Sequence, residues 1–343
     1  MAAAPVLLQD PSSLAHDTGP HPEQPARMIA IERELEARDW VGYERVRSPE
    51  AARSVLTAVH PESHVAMIEA AAQRGGAQLD ADTVISPGSF LAASHAAGGA
   101  VELVDRLLTG SAPTGFSAHR PPGHHAERAR AMGFCLFNNI AVAARHALDT
   151  GAAQRVMIVD WDVHHGNGTD DIFHEDPRVL FLSLHQSPLY PGTGAAGDVG
   201  SGPGVGYTVN LPVAPGSGDE VFCGLVDGVA VPLARAFAPQ LMLISAGFDA
   251  HAEDPLADCT VTDGGYFAMA SSLRDVCAEM GCPLGGVLEG GYALRALGRS
   301  VAETMAALAA PPEAGLGSDP ASRPPEVAAA RERLSHWWPE LTG

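Results

Sequence analysis

With 343 residues the chain can hold one large domain or two small ones, and 41 acidic against 21 basic residues leave a formal net charge of −20. That balance opposes direct binding to nucleic acid and favours cationic partners, although an acidic surface also serves plain solubility. Five cysteines without CxxC spacing argue against a disulfide framework and point to a reducing compartment.

In chain order, the first ten residues, Met1 to Asp10, carry no basic stretch and too short an apolar run for a secretory signal. No later apolar run reaches the ~18 residues of a membrane span, so the expectation is a cytoplasmic protein without a membrane partner. The short apolar segment Gly115-Phe116-Ser117-Ala118 runs into Arg120-Pro121-Pro122-Gly123-His124-His125, a tandem histidine on a stiff loop. One ring of such a pair can act as a base and the other as its electrostatic partner; alone, the pair is more often a surface loop or an accidental metal binder. A helical pattern from Asn138 to Leu148 leads to the apolar run Val156-Met157-Ile158-Val159, which reads as a buried strand.

That strand ends in Asp160-Trp161-Asp162-Val163-His164-His165-Gly166-Asn167-Gly168. Alternate residues of a strand point the same way, so Asp160, Asp162 and His164 can converge at its C-terminal end. Oxygen and nitrogen donors without thiolate suit zinc, or another first-row divalent ion, in a catalytic rather than a structural role. Two further buried runs follow, Leu241 to Ser245 before Ala246-Gly247-Phe248-Asp249 and Gly285 to Leu288 before Glu289-Gly290-Gly291-Tyr292. Between and after them lie helical patterns at Glu220 to Phe237, Thr262 to Met280 and Leu294 to Leu308. The alternation predicts an α/β protein with a mainly parallel central sheet flanked by helices, whose strand C-termini share the edge where such folds bind ligands. Nothing between residues 5 and 310 reads as a linker or repeat, so residues 1–310 are expected to form one domain. Residues 311–343 would add a Pro- and Ala-rich connector from Pro311 to Pro325 and a short helix near Arg331 to Trp338.

Taken together, these motifs resemble the zinc-dependent histone deacetylase superfamily, with its bacterial deacetylase-like and acetylpolyamine amidohydrolase members. The likeness runs in the family's order from His21-Pro22-Glu23-Gln24-Pro25-Ala26-Arg27 through PPGHH, Gly133-Phe134-Cys135, DWDVHHGNG, Ser183-Leu184-His185, Tyr190-Pro191-Gly192-Thr193-Gly194, AGFDAH and EGGY to about residue 310. LEGGY and Asn167 are similar to the class II branch; the class I branch usually shows GGGGY and an Asp at that place.

The resemblance implies the three-layer arginase/deacetylase fold and a zinc ion on Asp162, His164 and Asp249. It also implies His125 as general base and then acid, His124 beside it as electrostatic partner, and Tyr292 as donor to the substrate carbonyl. Asp160 matches the carboxylate behind the first histidine and Asn167 the position behind the second. A structural potassium ion is implied near Asp160, Asp162, His164, Ser183 and Leu184, and a second near Phe173, Asp176, Val179 and Tyr207. The substrate channel is assigned to Phe134, Tyr190, Leu256, Gly133 and Pro22. Leu256 takes the place of a gatekeeper that is acidic in the polyamine branch, which favours acetyl-lysine, although Asp82 or Glu23 could supply a carboxylate from elsewhere.

The leading expectation is therefore hydrolysis of N-ε-acetyl-lysine, in a protein or peptide, to lysine and acetate. Acetylpolyamine hydrolysis is the alternative. A catalytically silent acetyl-ligand binding protein and an arginase-like dimetal enzyme are further ones, and subunits covering each other's channel mouths in a homo-oligomer are compatible with each. Arg27 resembles an arginine lining the acetate exit, while a lone arginine at a helix start is more commonly a surface ion-pairing residue. His16, His60, His64 and His95 are expected in surface or helix-packing roles, and His21 in a loop beside the channel.

Overall fold

The computed structural model, which describes residues 3–312 and 324–342, contains ten strands, the apolar runs among them. They are β1 (Val6–Gln9), β2 (Glu44–Arg47), β3 (Ala77–Gln78), β4 (Val84–Ile85), β5 (Thr114–Ser117), β6 (Val156–Asp160), β7 (Val179–Gln186), β8 (Thr208–Val213), β9 (Leu241–Ala246) and β10 (Leu284–Leu288). Eight of them make one sheet in the order β2-β1-β5-β10-β9-β6-β7-β8, with β3 and β4 as a separate pair. Every pairing in the large sheet is parallel. All its strands therefore end on the same edge. The four strands whose ends carry the motifs, β5, β10, β9 and β6, stand side by side at the centre of the sheet.

Side-chain alternation splits the core into two layers. Met157 and Val159 of β6 join Leu180, Leu182, Met242 and Ile244 under the helices Ala26–Ala37, Asp263–Met280 and Leu294–Ala309. Val156 and Ile158 point the other way, with Val179, Phe181, Leu241 and Leu243, against Glu62–Gln73, Ser89–Leu108 and Asn139–Asp149. This is the three-layer α/β arrangement expected of the arginase/deacetylase fold. In β10, close packing explains the glycines: a Cβ at Gly285 would lie 2.8 Å from Leu107, and one at Gly286 2.7 Å from the Phe116 ring.

The helices follow the sequence patterns closely where a cap fixes the start. Asn138 accepts from Ala141 N and Thr262 from Gly265 N, so the helices they cap begin one residue after each. The expected single helix over Glu220 to Phe237 is instead broken. Asp219–Leu225 and Val231–Phe237 are joined by a π-helical turn, Val226–Ala230. Pro232 has no N–H for the carbonyl of Gly228, four residues back, and Arg331 Nη1 donates to that carbonyl at 2.7 Å instead. The C-terminal helix spans Pro325–Leu334, ahead of the expected Arg331 to Trp338, because Pro325 occupies a first-turn position that proline favours. Residues 313–323 of the expected connector lie outside the described residues.

One buried ionic cluster ties the N-terminal loop to the motif loops. Glu23 is fully buried; Arg120 grips its carboxylate through Nε and, at 2.6 Å, through Nη2, and Arg27 Nη1 adds a contact at 3.1 Å. Arg27 also donates to the carbonyls of Gly291 (2.7 Å) and Glu289 (2.5 Å), and Arg120 to that of Ser13 (2.7 Å). Arg27 is thus an interior clamp and not a surface ion-pairing residue. Glu23, enclosed by two guanidiniums, does not reach the substrate channel as a carboxylate. The histidines expected at surface or packing positions are all interior: His16, His60, His64 and His95 are buried.

Burial raises the pKa of Glu23, but Arg120 and His16 outweigh it and hold the carboxyl well below the usual range. A depressed folded value means that the ionic cluster stabilises fully above the ordinary carboxylate value of 4.5 and that this contribution fades as pH falls below it. Glu23→Gln should cost roughly 3 kcal/mol near neutral pH, because it leaves buried guanidinium charge uncompensated. In urea titrations the variant should also lose less stability than the wild type between about pH 5 and pH 3; parallel acid limbs would contradict the assignment.

Candidate active site

The central strand ends place a small group of acid and imidazole side chains under the sheet edge. Asp162 and His164 follow β6, and Asp249 follows its neighbour β9. One donor atom from each lies within 4.8 Å of the others, and all three residues are buried. His164 Nδ1 stands 3.1 Å from Asp162 Oδ1 and 3.2 Å from Asp249 Oδ2. The remaining lone pairs of the carboxylates are turned to backbone amides: His164 N (3.0 Å) and Gly290 N (2.8 Å) donate to Asp162, and Val163 N (2.9 Å) to Asp249.

Glycine makes the cradle possible. A Cβ at Gly290 would lie 2.1 Å from Asp249 Oδ2 and 2.5 Å from Asp162 Oδ2, and one at Gly247 would lie 2.1 Å from Asp162 Oδ2. Burial lowers the proton affinity of His164, yet the two carboxylates more than offset this and raise its pKa to about 10. The cluster therefore calls for positive charge at its centre. Two carboxylates and one imidazole, dry and aimed at one point, form a donor set that fits zinc with open positions left for a catalytic role.

Asp160 does not join that trio, although its place in the strand suggested that it could. Its Oδ1 accepts from Asp162 N (3.1 Å) and its Oδ2 faces His124 Nδ1 (3.0 Å), so both oxygens are committed on the other side of the turn. The two rings of the tandem histidine lie 4.0 Å apart between centroids but have different partners. His125 Nδ1 meets Asn167 Oδ1 at 2.8 Å, and Asn167 Nδ2 donates to Glu127 Oε1 at 2.8 Å. With the amide nitrogen held by Glu127, the amide oxygen must face His125, which puts the proton on Nδ1 and leaves Nε2 as a free base. Burial disfavours charge on both rings. For His124, Asp162 and Asp160 outweigh that and push the pKa well above the usual value; for His125, burial and charge on His124 together push it well below.

Tyr292 follows β10 beside these groups. Asp254 Oδ2 accepts from the backbone N–H of Tyr292 (2.6 Å) and of Ala293 (3.1 Å), while its Oδ1 accepts from Leu256 N (3.0 Å). The Arg27 guanidinium lies 5.1 Å from the Tyr292 ring centre. Burial raises the phenol pKa well above its usual value, so the hydroxyl keeps its proton.

Aromatic rings line the approach. Phe134 meets Tyr292 edge-on at 5.7 Å and His21 at 4.6 Å, and Tyr190 meets His125 at 5.2 Å and His164 at 6.2 Å. Gly133, at φ 56°, leaves room for His125, since a Cβ there would lie 2.5 Å from the ring. Pro22 is half-buried next to His21, and Leu256 is half-buried on the Asp254 turn. Asp82 stands at the same mouth: His21 Nε2 bonds its backbone carbonyl at 3.1 Å. The residues expected around potassium fall in two places. Asp160 pairs in register with Ser183 at the ends of β6 and β7, near Leu184 and the Asp162–His164 turn. Phe173, Asp176 and Val179 share one turn, with Tyr207 beside β7.

Three supporting carboxylates were not foreseen in these roles. Glu289 Oε2 accepts from Gly123 N (2.6 Å) and His124 N (3.0 Å), fixing the tandem-histidine loop from β10, and its Oε1 accepts from Ser245 (2.8 Å). Asp254 orients Tyr292, and Glu127 orients Asn167. Asp254 precedes Pro255, a local turn signal, but the partners that give all three their roles are remote in sequence.

A histone deacetylase domain is matched over residues 21–308. The chain is 40% identical to chloroplastic histone deacetylase 10 of rice (Oryza sativa subsp. japonica), over 93% of this chain and 76% of that protein. It is 38% identical to the histone deacetylase-like amidohydrolase of Pseudomonas aeruginosa, over 79% of this chain and 72% of that one. The crystal structure of the HDA15 HD domain superposes with a TM-score of 0.90 at 38% identity, covering 100% of this chain and 97% of the other. The family implies a zinc cofactor, for which Asp162, His164 and Asp249 offer a fitting site. The chain belongs to the histone deacetylase family and is a hydrolytic deacetylase.

Proposed function

We propose that the protein hydrolyses the side-chain amide of N-ε-acetyl-lysine in proteins or peptides, releasing lysine and acetate. The observation that carries this reading is the unequal pair of histidines beside the Asp162, His164 and Asp249 cluster, one backed by a carboxylate and the other by an amide. Zinc held by those three residues would supply a Lewis acid that polarises the acetyl carbonyl and lowers the pKa of water.

His125 Nε2, bare because Asn167 holds the proton on Nδ1, takes the proton from the attacking water and passes it to the leaving lysine amine. His124, kept cationic by Asp160, stays beside it and stabilises negative charge as it develops. Tyr292 donates its hydroxyl proton in a hydrogen bond to the carbonyl oxygen, a contact that strengthens as charge builds there. Phe134 and Tyr190 flank the apolar lysine stem, which their rings desolvate, and the Tyr190 hydroxyl can add a polar contact. Structural potassium would sit near Asp160, Asp162, His164, Ser183 and Leu184, and a second ion near Phe173, Asp176, Val179 and Tyr207. Five free cysteines support a reducing, cytoplasmic setting; among the described residues no helix is long and apolar enough to cross a membrane.

Acetylpolyamine hydrolysis is the second reading, favoured by Asp80 and Asp82, whose charges act on Tyr190 at the channel mouth. Leu256 speaks for the first, since it places an apolar side chain on the turn where a carboxylate would hold a distal ammonium.

Zinc-loaded wild type should turn over a fluorogenic acetyl-lysine peptide in preference to N-acetylputrescine. Tyr292→Phe should lower kcat by about 10²–10³ with little change in KM, and His125→Ala by on the order of 10²–10⁴. Preference for acetylputrescine would move the protein to the polyamine reading, and full activity in both variants would remove the proposed mechanism. Leu256→Glu should raise kcat/KM for acetylputrescine relative to the peptide by about tenfold, the scale of one added ionic contact; an unchanged ratio would show that this turn does not select the substrate.

A further inference from the structure

Behind the active-site turn, on the far side of His165 and Asn167, lies a cavity of about 770 Å³ open to solvent. Its wall is the helix Asn167–Phe173, which is capped by His174 and faces the segment around Asp198. Asp170 and His174 are four residues apart and share one helix face. Asp170 Oδ1 lies 2.7 Å from His174 Nδ1, and Asp198 Oδ1 lies 3.8 Å from His174 Nε2. One donor atom from each of the three falls within 4.8 Å of the others, a second such group beside the Asp162, His164 and Asp249 cluster.

The carboxylate cluster alone would not indicate a ligand. Behind it, however, stands His165, only 2% exposed, whose Nε2 points at Asp170 Oδ2 from 3.5 Å. Its Nδ1 is engaged with the Thr193 hydroxyl at 2.8 Å, while Nε2 makes no close hydrogen bond among the described residues and has the Asn210 side chain as a further polar neighbour. A buried imidazole nitrogen facing a carboxylate without a hydrogen bond is the donor that a cation would complete. A proton on His174 could serve Asp170 and Asp198 through its two nitrogens, but it would leave His165 as it is. The cations nearby are committed elsewhere: Arg145 pairs with Asp176 at 3.2 Å, and Arg128 donates to the Ile172 carbonyl at 3.2 Å.

We propose that Asp170, His174 and Asp198, backed by His165, form a second divalent-cation site separate from the catalytic cluster. Mixed imidazole and carboxylate donors select zinc or another first-row transition ion over magnesium or an alkali ion. Asp170 and His165 provide the fixed, dry side of the site. Asp198, whose side chain is 43% exposed, provides the side that closes on the ion. A bound ion would pin the Asp198 segment to the helix. Because Asn167 lines the same cavity and holds His125, it would also stiffen the wall behind the proposed base.

The test is equilibrium dialysis of the full chain against micromolar zinc, with bound metal measured by atomic emission, for wild type, His174→Ala and Asp198→Asn. The wild type should retain about two zinc ions per chain and each variant about one, with acetyl-lysine turnover preserved and the zinc-dependent rise in Tm reduced. About one ion in the wild type, or about two in Asp198→Asn, would overturn the proposal. Asp198→Asn alters only an exposed side chain, so its result stands even if His174→Ala fails to fold.

Discussion

Two carboxylates, Asp162 and Asp249, are buried within a few ångströms of each other at the end of a parallel sheet, and the surrounding structure is arranged to make that tolerable. Like charges in a low-dielectric interior repel strongly unless donors and a counter-charge are built around them. Here the donors are backbone amides of His164, Gly290 and Val163, and glycines at 247 and 290 leave out the side chains that would collide with the carboxylate oxygens. The counter-charge comes from His124 and from the metal that the site fits, which would displace the proton from His164. A parallel sheet suits this task, because it delivers four loops to one edge while helices on both faces keep the strands dry.

The proposed catalytic groups rest on a second ring of acids that bond to backbone and to arginine side chains. Glu289 holds the tandem-histidine loop through two backbone amides, Asp254 holds the backbone of Tyr292, and Glu23 holds Arg27 and Arg120, which in turn hold the Gly291 and Glu289 carbonyls. Each fixes a backbone and so leaves the functional side chain free for chemistry, an economical form of preorganisation. The difference between His124 and His125 is electrostatic too. Two identical side chains, adjacent in sequence and 4.0 Å apart in space, diverge in charge because Asp162 and Asp160 act on the first, while the second is buried beside that charge with a neutral amide, Asn167, behind it.

Much of this was legible in the sequence where local pattern and chemistry coincide. Val156 to Val159 followed by Asp160 to Gly168 announces both a buried strand and a donor cluster, and the resemblance carried by PPGHH, AGFDAH and EGGY links it to the partners from three other strands. Helix ends were legible where a capping residue marks them, as at Asn138 and Thr262. What remained hidden depends on contacts between distant residues. Glu23 meets Arg120 across 97 positions and Arg27 meets Gly291 across 264, so neither the burial of Arg27 nor its clamp could be read from its surroundings in the chain. The broken helix after Leu225 was hidden for a similar reason: Pro232 frees a carbonyl that the C-terminal Arg331 meets.

The most direct test of the account is a crystal structure of Tyr292→Phe with zinc and an acetyl-lysine peptide, with zinc located by its anomalous signal. The account predicts a peak bounded by Asp162, His164 and Asp249, the acetyl carbonyl directed at it and at the place of the missing hydroxyl, and His125 Nε2 on the water side. No zinc at those three residues, or an acetyl group seated outside the walls of Phe134 and Tyr190, would contradict it.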